Sequence, residues 1–218
     1  MIISEKKAIE EISKITQNHN NFFILGCGEC ATSCKTGGFE EVIEMETFLK
    51  GAGKNVNGSG VCETSCDERK LKKFIRDNKE NIEKSDCFIV LSCGAGAQVL
   101  RRNSDREILI GINTMFLGMI ERLGNFEEYC MQCGNCTISH TFGFCTKTRC
   151  SKGLVNGPCG NAKNGMCEQR SSKKCVWIEI FDFLKTKNKI KEFLNINIAN
   201  DYTKLNRPRK MEKFKNIM

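Results

Sequence analysis

Eight of the chain's fifteen cysteines fall within residues 130–175: Cys130, Cys133, Cys136, Cys145, Cys150, Cys159, Cys167 and Cys175. The first three form a C-x2-C-x2-C array with Gly134 in its turn. A thiolate at every third residue of a turn points three sulfurs at one inorganic core, and runs of this kind hold iron–sulfur clusters. A tetrahedral zinc needs only two cysteine pairs. The five later sulfurs can complete the first centre and build a second, and the spacing leaves open which of them does which. The expectation is iron–sulfur chemistry, two or three [4Fe-4S] clusters in the chain as a whole, with one zinc in place of a cluster as the alternative, because four thiolates suit both metals.

A second group of cysteines precedes this stretch. Residues 22–26 (FFILG) read as a short buried strand running into CGECATSCKTGG, so Cys27, Cys30 and Cys34 lie in the loop at its carboxyl end. Cys66 opens a basic helix, and Cys93 ends another strand just before a Gly-x-Gly turn. In open α/β sheets that edge is where ligands sit. The five sulfurs are four ligands plus one spare for a single cluster. A C-x-x-C redox pair is the bland reading of the first loop, and the Gly-x-Gly turn lacks the third glycine of a nucleotide fingerprint. Cys62 is close enough in sequence to Cys66 to reach back to the Cys27 loop, whereas Cys87, at the start of its strand, reads as a packing residue. His19 and His140 read as loop residues rather than ligands.

The elements that must position these sulfurs follow from periodicity. Helices are expected over 4–18, with Ala8, Ile9, Ile12 and Ile15 on one face, over 39–53 and over 67–82. Strands are expected at 22–26, 54–61, 87–93 and 107–112. Strand and helix alternate through residue 125, which predicts a small parallel-sheet α/β domain over 1–125. Residues 126–200 read as a cysteine-rich, loop-dominated, ferredoxin-like iron–sulfur domain. It closes on a C-terminal helix in VWIEIFDFLKTKNKIKEFL, where Trp177, Ile180, Phe181 and Leu184 repeat at helical spacing. Residues 201–218 read as a basic tail, mobile or bound to a partner.

Composition narrows the function. The chain opens on MIISEKKAIEEISK, charged and helical rather than a signal peptide. It is longer than most disulfide scaffolds, and its cysteine count is odd. A reducing, cytoplasmic compartment with metal-held thiolates is expected. No apolar run approaches the roughly 18 residues of a membrane span. The net charge of +8 invites a nucleic-acid reading, but each cluster held by four thiolates adds roughly −2. The basic residues also gather in the tail instead of alternating with aromatics on strands. Lys147, Arg149 and Lys152 either offset cluster charge, face an acidic partner or are solvated surface.

TRCSKGLVNGPCGNAKNGMCE and CVWIEIFDFL resemble the C-terminal signature of the small iron–sulfur (MetV-type) subunit of bacterial methylenetetrahydrofolate reductase. GCGECATSC, the CDE step that starts at Cys66, and SCGAGAQ followed by NTMFLG resemble it too. The likeness covers roughly residues 20–190. It implies an electron-transfer subunit paired with a MetF-type, flavin-containing subunit that binds the folate and reduces 5,10-methylenetetrahydrofolate to 5-methyltetrahydrofolate in the methyl branch of the acetyl-CoA (Wood–Ljungdahl) pathway. It also implies an upstream electron donor protein. The family's cysteines fall on Cys27, Cys30, Cys34, Cys66 and Cys93, and on all eight from Cys130 to Cys175. Cys62, Cys87 and the tail lie outside that pattern.

Two rivals remain. One is a zinc-stabilised assembly module without a redox role. The other is a self-sufficient oxidoreductase with its own organic cofactor, although the chain shows neither a complete nucleotide fingerprint nor a nucleophile–base pair.

Overall fold

The computed structural model describes residues 1–211. They divide into two units, Met1–Glu127 and the remainder from Glu128 onward. The first unit runs β1 (Ile2–Lys6), α1 (Ile9–Thr16), β2 (Asn21–Cys27), α2 (Cys30–Ser33), α3 (Phe39–Gly51), β3 (Asn55–Cys62), α4 (Glu68–Asp77), α5 (Lys79–Glu83), β4 (Cys87–Leu91), α6 (Gly94–Asn103), β5 (Glu107–Ile110), β6 (Ile112–Arg122) and β7 (Asn125–Glu128).

The apolar runs of β2 and β4 are the centre of a four-stranded parallel sheet of order β3-β2-β4-β5. Strands covered on both faces must be apolar throughout, and every residue from Phe22 to Leu25 and from Cys87 to Val90 is at most 1 % exposed. Alternate side chains serve the two faces. Phe22, Ile24, Cys87 and Ile89 meet Val42 and Leu49 of α3, while Phe23, Leu25, Phe88 and Val90 meet Leu71, Ile82 and Leu100. This is the parallel α/β layer that the alternation predicts.

The sequence reading missed a second sheet. Ile2–Lys6, expected as the beginning of a helix, is a strand antiparallel to β6, and α1 starts only at Ile9. A three-stranded sheet of order β1-β6-β7 results. The β6–β7 turn carries Gly124 at φ +86°, without the Asn-Gly or Asp-Gly pair that flags such hairpins in sequence. The helix expected over 67–82 breaks at Asn78, whose Nδ2 donates to the Phe74 carbonyl at 2.9 Å.

The second unit has little regular structure: α7 (Thr146–Arg149), a two-stranded ribbon of β8 (Met166–Cys167) and β9 (Arg170–Lys174), α8 (Val176–Thr186), and three 3-10 turns. Its core is one face of α8, with Val176, Trp177, Ile180 and Leu184 packed by Phe142, Phe144, Phe183 and Phe193. The expected C-terminal helix ends early because Asn188 takes a left-handed conformation at φ +55° and the Lys189 N–H turns back to the Leu184 carbonyl at 2.9 Å. Of the expected basic tail, residues 212–218 lie outside the described residues. Within the described part, Arg209 Nη1 donates to the Gln132 carbonyl at 2.7 Å.

Gly37 anchors the first cysteine loop against β4: a Cβ there would stand 1.8 Å from the Leu91 carbonyl oxygen. Gly37→Ala should therefore cost about 1–3 kcal/mol or more. Gly51→Ala, where a Cβ meets nothing within 4 Å, should be neutral or stabilising by up to about 1 kcal/mol. Thermal melts of anaerobic protein check this, and equal melting temperatures for the two variants would refute the packing argument.

Candidate metal centres

The parallel strands of the first unit end together, because Cys27 is in register with Cys62 and Gly26 with both Val61 and Leu91. The chain leaves β2 at Cys27 and enters α2 at Cys30; Cys66 precedes the Asp67 cap of α4, and Cys93 caps α6. Four thiols are thereby gathered at the carboxyl edge. Burial around its sulfur pushes the Cys66 thiol up, although the residue as a whole is exposed, and the charges of Cys93, Cys27 and Cys30 push it further. Such like-charge repulsion relaxes when a cationic core is bound. α6 adds the positive end of its dipole at Cys93.

Cys34, as buried as Cys27, contacts the same residue of β1 as Cys30. It is buried, and its Sγ donates to the Ile2 carbonyl at 3.6 Å, whereas Cys30 Sγ accepts from the Ile2 N–H at 3.5 Å. Cys62 is 2 % exposed. Burial raises its thiol above the ordinary value, against the N–H of Thr64 and the hydroxyl of Ser65, with the Cys27 charge adding to the rise. Cys87 sits in the core, and burial together with Asp86 and Glu107 pushes its thiol up to about 12. Beneath the edge, a Cβ on Gly96 would stand 2.6 Å from Ser92 Oγ and 2.8 Å from Ser65 Cβ. Thr114 Oγ1 accepts from the Gly94 N–H at 2.8 Å. The contributions of Ile2 and Thr114 were invisible in sequence, because both come from the sheet that the periodicity did not reveal.

Of the eight cysteines of the second unit, one set of four lines a single cavity, and two of the other set, Cys133 and Cys145, contact side chains of α7. The Met131 N–H donates to Thr148 Oγ1 at 3.0 Å, and Cys145 Sγ donates to the same oxygen at 3.6 Å. Lys147 Nζ lies 3.7 Å from Cys133 Sγ. Cys136 lines a pocket with Thr146. These contacts hold the loop bearing Cys130, Cys133 and Cys136 against Cys145. Gly134 in that loop is left-handed at φ +76°, and a Cβ there would stand 3.0 Å from Lys204 Cβ. Cys150, Cys159, Cys167 and Cys175 line a different cavity, shared with Lys152, Glu168 and Trp177. His140 borders the first pocket with Cys136. His19 pairs through Nε2 with Glu107 at 2.9 Å.

The cavity of the second set suits an anionic sulfur cluster on two counts. Burial works against ionisation of Cys167, but the N–H groups of Gln169 and Arg170, the Ser151 hydroxyl and the Lys152 charge outweigh it and bring the thiol below its ordinary value. Trp177 is 4 % exposed, and its Nε1–H has no acceptor among the described residues. A buried indole N–H ordinarily has one, and Trp177 lines the same cavity as the four cysteines. All fifteen cysteines are free of disulfides. Among the described residues, no three His, Cys, Asp or Glu side chains converge as a single metal ion requires.

Residues 109–203, under half of the chain, match a family profile described as Methylene-tetrahydrofolate reductase C terminal. No curated protein and no solved structure matches the chain.

The two-set division predicts that Cys133→Ser and Cys145→Ser each remove about one cluster's worth of iron, and that the double variant loses no more than either single change. Cys150→Ser combined with Cys133→Ser should lose about two clusters' worth. Cys87→Ala should keep its iron. Iron assays on anaerobically purified protein read all five variants, and additive losses from Cys133 and Cys145 would place them in different sets.

Proposed function

We propose, proceeding from the methylene-tetrahydrofolate reductase C-terminal match over residues 109–203, that this chain is the electron-transfer iron–sulfur subunit of a methylenetetrahydrofolate reductase complex. In this reading residues 1–125 hold one [4Fe-4S] cluster through Cys27, Cys30, Cys66 and Cys93. Residues 126–200 hold two more, through Cys130, Cys133, Cys136 and Cys145 and through Cys150, Cys159, Cys167 and Cys175. Cys34 takes the supporting position, its sulfur turned to the Ile2 carbonyl. When bound, such clusters accept and release single electrons.

What the chain itself does is bind, insulate and tune. In the first unit the four cysteines sit at a strand end, at helix starts and, for Cys66, in the short turn before α4. In the second unit Val176 and Trp177 close the cavity of the last four cysteines with apolar surface, which limits solvent access and shapes the potential. The single observation that supports the reading is the folate-reductase family match over residues 109–203, a segment that contains eight cysteines, four of them around one cavity.

The partners proposed are a MetF-type subunit, which carries the flavin and binds the folate, and an upstream electron donor protein. Thiolate-held clusters place the complex in the reducing cytoplasm; among the described residues no helix is long and apolar enough to cross a membrane. Iron–sulfur is favoured over zinc because the C-x2-C-x2-C array of Cys130, Cys133 and Cys136 has the spacing of cluster ligands.

Anaerobically purified chain should be brown, with absorbance near roughly 400 nm that bleaches on dithionite. It should have no folate reductase activity alone. Mixed in its reduced form with the flavin-bearing reductase subunit, it should bleach the flavin. A bleachable chain that never reduces that flavin would refute the electron-transfer role, and folate reduction by the chain alone would make it the self-sufficient enzyme instead.

A further inference from the structure

Lys147 lies in α7, beside Cys145, and is 8 % exposed. Its Nζ donates to the Asn135 carbonyl at 2.6 Å and to Cys133 Sγ at 3.7 Å. A buried ammonium is costly unless an anion answers it. Asp201 feels its charge, but that carboxylate is engaged by the N–H and hydroxyl of Thr203 at 2.9 and 2.6 Å. The partners in direct contact are therefore a carbonyl and a cysteine sulfur, and the sulfur supplies the missing charge when it is a thiolate.

The cavity of the other set is arranged differently. Its two cations already have carboxylates, Arg149 held by Glu179 at 2.7 and 2.9 Å and Lys152 paired with Glu168. The buried donor left over there is the neutral indole of Trp177.

We propose that Lys147 sets the reduction potential of the centre held by Cys130, Cys133, Cys136 and Cys145, raising it above that of the centre held by Cys150, Cys159, Cys167 and Cys175. The inference rests on the iron–sulfur reading above. Adding one electron makes a cluster more negative, and a fixed positive charge at a ligand sulfur favours that reduced form. The electron comes from the upstream donor and leaves to the partner's flavin, and the ammonium is neither consumed nor deprotonated. Electrons entering the second unit then rest preferentially on the Lys147 centre.

Redox titration of the full chain, followed by paramagnetic resonance and paired with iron and sulfide assays, tests this. The signal that Cys133→Ser abolishes identifies the centre. In Lys147→Met, which keeps side-chain length without charge, the reduced-to-oxidised ratio of that centre at fixed poise should fall about tenfold, equivalent to about 59 mV for one electron. The other signals should stay put, and Lys147→Arg should remain near wild type. An unmoved midpoint in Lys147→Met with iron retained would overturn the proposal. So would loss of one cluster's iron from both variants, which would assign Lys147 to assembly. Wild-type protein without iron or sulfide would instead sink the reading on which the proposal rests.

Discussion

Thiolates repel one another, and the proposed function asks this chain to hold twelve of them in three sets. The cost is visible at Cys66, whose thiol resists ionisation because it is desolvated and because Cys93, Cys27 and Cys30 stand near it. A fold that tolerates such crowding needs a cationic core to bind the sulfurs and enough local donors to hold them until it does. The Ile2 N–H on Cys30 and the Lys147 ammonium at Cys133 are such donors. The rest of the architecture consists of ways to place them.

The two units reach this by different routes. In the first, parallel strands with buried, alternating faces bring Cys27, Cys62 and the residues after Leu91 to one edge. Precision there comes from close packing: Gly37 against the Leu91 carbonyl, and Gly96 against Ser92 and Ser65. In the second, the cysteines sit in turns that reverse through left-handed residues such as Gln132 and Gly134. One face of α8 provides the apolar backing. On the proposed function, a bound cluster would contribute more to order in the second unit than in the first, since metal binding and folding are coupled where little core exists without it.

The sequence displayed the parallel layer and the ligand types openly. Alternation of FFILG and CFIVL with amphipathic helices is a strong periodic signal, and cysteines that follow strands have only one sheet edge on which to gather. The N-terminal strand was hidden because Ile2 and Ile3 adjoin a charged segment that continues into the helical repeat of α1. The β6–β7 hairpin was hidden because its turn has a lone glycine. The contacts of Thr148 with Met131 and of Lys147 with Cys133 were also unreadable, since these side chains follow no spacing rule. Trp177 looked like a core residue and is one, yet its unpartnered N–H faces a requirement that no periodicity encodes.

The account stands or falls on what the three thiol sets contain. Iron, acid-labile sulfide and zinc counted together on anaerobically purified full-length chain address it directly. The predicted result is about four iron and four sulfide per set, about twelve of each per chain. Protein that carries zinc without sulfide, or no metal in any of the three sets, would contradict it.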